Sequence, residues 1–142
     1  MPGSDGHRDV IVSFVVIVYD MPAQAQNTIR SLMADYQQDV RLDDYEVLII
    51  ENESANTISR TFLDSLPPNF SYHLRQESQP TPIHAINYGI EIACGANICV
   101  MIDGARLLTP GIVKNILRGH RLSPRAVVTA PGYHLGHELQ QK

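Results

Sequence analysis

The chain has 142 residues, 44% of them hydrophobic and 18% charged, which is the composition of one folded domain with its own core and not of a disordered segment. A formal net charge of −4 lacks the basic excess that meets phosphate backbones, so no nucleic-acid partner is expected. The two cysteines, Cys94 and Cys99, are too few for a disulfide framework and are expected as reduced, buried thiols of a cytoplasmic protein.

Residues 1–9 are polar and lack the apolar stretch of a secretion signal. The longest apolar run, Phe14 to Tyr19, is too short to span a bilayer, so no membrane span is expected. Val10 to Tyr19 (VIVSFVVIVY) is β-branched and apolar on both faces, as a buried parallel strand is. Pro22 then suits the first turn of a helix, whose apolar stripe would be Ile29, Leu32, Met33 and Tyr36. Tyr45 to Ile50 is the second strand. A helix over Asn56 to Leu66 follows, bearing Ile58, Phe62, Leu63 and Leu66 and stopped by Pro67 and Pro68.

Phe70 to Arg75 is a third, weaker strand, followed by the loop Gln76 to Pro82. The next helix carries Ile83, Ile86, Ile90 and Ala93 and ends at Gly95. Asn97 to Ile102 is the fourth strand. Thr109 to Arg121 is the next helix, with Thr109 as N-cap, Pro110 at its first position, and Ile112, Val113, Ile116 and Leu117 facing inward. Arg125 to Ala130 is expected as a fifth short strand. No internal repeat or low-complexity segment interrupts this order.

Strands alternating with helices imply an α/β three-layer sandwich with a mainly parallel sheet, and such sheets bind ligands beyond the carboxyl ends of their strands. Asp20 closes strand one, Glu51 and Asn52 close strand two, and Asp103 closes strand four. Three acids converging on one edge suit a ribose, a base edge and a metal. Asp103 ends the apolar run NICVMI, where packing gives little reason for an acid. The segment Asp20-Met21-Pro22-Ala23 has neither of the glycine-rich phosphate patterns, which disfavours a Rossmann dehydrogenase or a P-loop NTPase. A receiver-like domain is disfavoured as well, since strand one ends in the lone Asp20 and Arg125 stands where a lysine is needed.

Four segments together resemble family 2 glycosyltransferases of the GT-A fold. Val12 to Asp20 (VSFVVIVYD) is similar to their opening VSVVIPVYN, and Ile50 to Ser54 to their VDNGS. Ala85-Ile86-Asn87-Tyr88-Gly89-Ile90, with Ala93, Gly95 and Ile98, resembles ARNxGIxxAxGxYI. Met101 to Ala105, followed by Leu108-Thr109-Pro110-Gly111, resembles their DxD element and the proline-initiated helix after it. The resemblance implies transfer of a glycosyl unit from a nucleotide sugar, a UDP-sugar above all, to an acceptor hydroxyl, with inversion. It places Val18, Tyr19 and Asp20 around the nucleoside and Glu51 on the base, where an anionic acceptor meeting the uracil N–H makes a short, charge-assisted contact. It adds Asn52, Ser54 and Asn87 to the nucleotide site and sets Asp103 on the ribose or a divalent cation, Mg or Mn.

Departures from the pattern are informative. Ala105 replaces the second DxD acid, which puts the metal in question. Glu51 replaces aspartate, Glu53 stands at a glycine position, and Thr81 stands where some relatives have arginine. A departing diphosphate needs its charge neutralised, and Arg106 is the expected substitute because its planar fork holds phosphate through two hydrogen bonds. Plainer roles exist for the same residues: Asp20 as a helix cap, Glu51 and Asn52 as turn residues, Asn87 bonded to a neighbouring loop. His134 and His137, three apart, are a weak metal pair, with Gly132 and Gly136 opposing a helix there.

Residues 10–131 are expected as the nucleotide-sugar-binding domain, residues 1–9 as a flexible lead, and 132–142 as the start of an acceptor-binding half that supplies the catalytic base from outside this chain. On that expectation the chain is a truncated portion that binds donor without transferring sugar. The alternative is a non-catalytic nucleotide-sugar-binding or scaffolding domain. The acceptor, whether glycan, lipid or protein, and the oligomeric state stay open.

Overall fold

The computed structural model describes residues 10–77, 79–102, 105–123 and 125–133. Strand β1 (Val12–Tyr19) is followed by α1 (Pro22–Ser31), α2 (Ala34–Gln37), β2 (Tyr45–Asn52), α3 (Arg60–Leu63) and β3 (Phe70–Arg75). The order continues with α4 (Ile83–Ile92), β4 (Asn97–Met101) and α5 (Ile112–Leu122). The strands form one all-parallel sheet in the order β3-β2-β1-β4.

The sheet has two unequal faces. On one, Phe14, Val16, Val18, Val47, Ile49 and Met101 pack against Ala25, Ile29 and Leu32 of the α1 segment, Ile58 and Phe62 around α3, and Val113 and Leu117 of α5. On the other, Val15, Ile17, Leu48 and Ile50 pack against Ala85 of α4. Strand parity explains the division, because consecutive side chains leave a strand on opposite faces. β1 is covered on both sides, so its continuous apolar run is the expected sequence of a central parallel strand. This is the α/β sandwich that the sequence implied, and β3 matches its expected limits.

Several local expectations change. Among the described residues the sheet has four strands, and Arg125 to Ala130 form none. The first helix breaks after Ser31, leaving Tyr36 exposed. The carbonyls freed at the break are taken by side chains: Tyr45 Oη donates to Leu32 O at 2.7 Å and Gln37 Nε2 to Ser31 O at 2.6 Å. The helix expected over Asn56 to Leu66 contracts to α3, capped by Ser59, while the Ile58 N–H just ahead of it is bonded to Glu51.

α5 begins at Ile112, with Gly111 as its N-cap at φ 90°, a conformation that suits glycine. Thr109 is therefore not the cap. Gln37 takes that part from a distance: its Oε1 accepts from Val113 N at 3.1 Å and its Nε2 donates to Thr109 O at 3.2 Å. α4 turns Ala85 and Gly89 to the sheet, with Ile86 and Ala93 packed partly against the same cluster, and leaves Ile83 and Ile90 exposed, so only half of the expected stripe faces the sheet. A Cβ on Gly89 would lie 2.3 Å from Val15 Cγ1, which gives this glycine a packing cause. Cys94 is exposed and Cys99 half-buried, both free, so the expectation of two buried thiols holds for neither in full. No helix among the described residues is long and apolar enough to cross a membrane.

Candidate functional site

At the carboxyl ends of β1, β2 and β4 lies a cavity of about 390 Å³. Ile17 and Tyr19 of β1, Asn52 and Glu53 at the end of β2, Ile102 after β4, and Glu77, Gln79, Pro80, Thr81 and Pro82 ahead of α4 line it. Ile17 belongs to the α4 face of the sheet, and Asn52 lies two residues beyond Ile50 on that same face. The loop is held locally: Glu77 Oε1 accepts from Gln79 N at 3.0 Å, and Thr81 Oγ1 from Ile83 N at 3.3 Å at the start of α4. The β2–β3 ladder extends to the cavity, with Asn52 opposite Arg75 and Glu53 N donating to Arg75 O at 2.8 Å.

Tyr19, 61% exposed, and Asn52, 7% exposed, are the expected nucleotide residues that line the cavity. Asn52 Oδ1 is buried with no hydrogen-bond partner. An unmet buried acceptor costs about 1–3 kcal/mol, which a ligand offering a donor or a cation relieves. Val18 lies wholly within the core on the opposite face.

Glu51 does not join Asp20 at the strand ends. It is 0% exposed and faces the α3 side, where both carboxyl oxygens accept from Ile58 N at 3.1 and 3.2 Å. Tyr72 Oη donates to its Oε2 at 2.6 Å. Burial first, and then this bond to Glu51, push the Tyr72 hydroxyl pKa well above its ordinary value of 10.0, so Tyr72 remains a donor. In this arrangement Glu51 offers no surface to a nucleobase; its network holds the 53–58 loop against the sheet.

Asp20 is exposed at φ 50° and accepts from Asn56 Nδ2 at 3.0 Å. It does not cap α1, whose N-cap is Met21 without a side-chain bond. Ser54 Oγ donates to Asn56 O at 3.0 Å, inside the same loop. Asn87 is exposed on α4 and is not among the residues lining the cavity. Arg106 is exposed, and its backbone N–H donates to Thr28 Oγ1 at 3.0 Å. Leu108 N donates to Ser31 Oγ at 3.1 Å, so two α1 hydroxyls pin the 105–108 segment. Asp103 and His134 lie outside the described residues.

The cavity also contains residues that sequence reasoning did not assign to it. Glu53 registered only as a departure at a glycine position, and Glu77 not at all. The available signal was the run Gln79-Pro80-Thr81-Pro82, a stiff segment placed just before a helix N-terminus. Tyr72 looked like an ordinary strand residue, and only its contact with Glu51 reveals its part. On β3 and α4, Ser71 Oγ and His73 Nε2 are 3.1 Å apart, His73 Nδ1 and Tyr88 Oη 3.2 Å, and the Arg75 guanidinium lies 4.5 Å from the Tyr88 ring centroid.

No protein-family model and no curated protein matches the chain. Solved structures do. The fold is similar to residues 1–349 of TarS from S. aureus, a glycosyltransferase, with a TM-score of 0.66 and 16% identity over 79% of this chain and 32% of that one. A longer TarS structure matches with a TM-score of 0.62 and 14% identity over 79% of this chain and 20% of that one. The chain thus spans a third or less of the structures it matches. What the likeness shows is the fold: a parallel α/β sheet of the Rossmann-like type, flanked by helices.

Proposed function

We propose that the chain is a glycosyltransferase-like domain whose cavity at the ends of β1, β2 and β4 binds a nucleotide-sugar donor, a UDP-sugar above all. The observation that carries this reading is the cavity itself: about 390 Å³, placed where parallel α/β sheets take their ligands, with the partnerless Asn52 Oδ1 in its wall. Tyr19 offers an exposed ring at the mouth for stacking. Val18 and Glu51 act from behind, fixing the ends of β1 and β2 so that Tyr19 and Asn52 face the ligand. Asp20, Ser54 and Asn87 are assigned to the outer contacts, Asp103 to the ribose, and Arg106 to the diphosphate, which its fork holds through two hydrogen bonds.

Transfer proceeds by displacement at the anomeric carbon with inversion, the acceptor hydroxyl losing its proton to a base outside this chain. A non-catalytic nucleotide-sugar-binding domain is the second reading, favoured by Ala105 at the place of a metal-binding acid.

Calorimetry with UDP and UDP-sugars tests the donor reading. Saturable binding is expected, weakened by Tyr19→Ala and blocked by Thr81→Trp, which fills the cavity edge. Absence of saturable binding, or equal binding by Thr81→Trp, overturns it. Sugar transfer by this chain alone would refute the assignment of the base to another segment.

A further inference from the structure

Ser71 and His73 stand two residues apart on β3, so their side chains leave the strand on the same face, the one that α4 covers. Ser71 Oγ and His73 Nε2 are 3.1 Å apart, and His73 Nδ1 and Tyr88 Oη of α4 are 3.2 Å apart. Both distances lie within the reach of about 2.6–3.2 Å at which a hydroxyl, its base and the group that orients the base act together. All three residues are half-buried. Tyr88 is held from several sides: it packs on the α4-side core, its ring meets the His73 ring edge-on at 5.5 Å, and the Arg75 guanidinium lies 4.5 Å from its centroid. Burial lowers the His73 pKa and keeps the ring neutral at pH 7, the form that takes a proton.

A second cavity, of about 280 Å³, lies at the amino ends of β2 and β3, and Ser71 lines it together with Tyr45, Glu46, Asn69 and Phe70. No residue lines both this cavity and the one at the carboxyl ends. Its described lining holds the carboxylates of Asp43 and Glu46 and no lysine, arginine or histidine. Asn69 Oδ1, in the same wall, has no hydrogen-bond partner and is open to a donor.

We propose that Ser71 is a nucleophile, His73 its base and Tyr88 a positioning residue, and that Ser71 takes the acyl group of a small uncharged or cationic ester bound in this second cavity. Ser71 Oγ attacks the ester carbonyl carbon while its proton passes to His73 Nε2. The bond from that carbon to the alcohol oxygen then breaks, and the alcohol leaves with the proton that His73 held. The products are an acyl ester on Ser71 and one free alcohol, with nothing oxidised or reduced. For Nε2 to accept a proton, the neutral ring must carry its own on Nδ1, which donates it to Tyr88 Oη. Asp43 and Glu46 repel an anionic ester. This activity is independent of the donor reading above.

The test treats the full chain with p-nitrophenyl acetate, reads the release of nitrophenol, and locates the acetyl group by peptide mass mapping. A burst above that of the urea-unfolded chain is expected, with the acetyl group on Ser71. Ser71→Ala abolishes the burst, and His73→Gln slows it roughly a hundredfold, the range of help that a general base gives. Tyr88→Phe slows it as well and, in 15N NMR spectra of the imidazole, shifts His73 from the Nδ1–H tautomer toward a mixture, which a merely structural role would not do. Thermal melts confirm that each variant is folded. No burst, an acetyl group found only on other residues, or an equal rate in His73→Gln and the parent chain overturns the proposal. The p-nitrophenyl half-ester of succinate is expected to react more slowly than the acetate; an equal or faster reaction overturns the substrate class.

Discussion

Glu51 and Asn52 are neighbours in sequence and opposites in the structure. Glu51 points to the α3 side, wholly buried, with its carboxyl oxygens bonded to Ile58 N and Tyr72 Oη. Asn52 points to the α4 side, lines a cavity and has an acceptor with nothing to accept from. One side of the strand end is a closed polar network that stabilises the loop; the other is an open one that awaits a partner. Buried polar groups are mostly satisfied by protein or by water, so an unpartnered acceptor beside a cavity is one that water or a ligand can reach. A one-residue change in parity separates the two roles.

The contrast is most sharply tested by Glu51→Ala. It leaves the Ile58 amide and the Tyr72 hydroxyl without their acceptor and opens a hole in a fully buried site. The expected loss is roughly 3 kcal/mol of unfolding free energy, read from urea denaturation. An unchanged denaturation midpoint, with UDP binding lost instead, would break the comparison and return Glu51 to the ligand.

Gly89→Ala is expected to cost about 2 kcal/mol, since the added methyl must displace Val15 where α4 presses on β1. Calorimetric melting checks this, and a neutral result would mean that α4 can shift outward. Ser31→Ala removes the hydroxyl that accepts from Leu108 N; about 1 kcal/mol is expected, with faster hydrogen exchange at Leu108. That result would show how far the 105–108 segment, with Arg106, depends on α1.

Asn52→Leu is expected to leave stability within about 0.5 kcal/mol of the parent, because it removes an acceptor that has no partner in the ligand-free chain. UDP binding should nevertheless weaken clearly in calorimetry. A large destabilisation would show that Asn52 belongs to the closed side of the comparison.

The smallest effect concerns pH. Burial lowers the His73 pKa below its ordinary 6.5, favouring the neutral ring between Ser71 and Tyr88. The folded chain then binds fewer protons than the unfolded chain as pH falls through 6.5 toward the lowered value, so stability declines over that window. His73→Gln should flatten this part of a stability-versus-pH curve.

The fold was legible because its signals are local and repeated. The β-branched run of β1 and the prolines flanking the elements declare strand, helix and order without reference to distant contacts. What eluded sequence reasoning depends on partners far along the chain. Gln37 caps α5 across the fold, and Glu51 takes the Ile58 N–H ahead of α3. The expected fifth strand, a short apolar segment, did not form within the described residues. Glu77 reaches the cavity through a loop path that no periodicity encodes.

By itself the sequence determined the alternation of elements, the parallel sheet and the polar residues that close its strands, because strand and helix periods are properties of short segments. Tertiary structure alone decided which of those polar residues stay open. Burial and hydrogen-bond closure depend on what the rest of the chain brings alongside, and it brought Tyr72 and the Ile58 amide to Glu51, and an open cavity to Asn52.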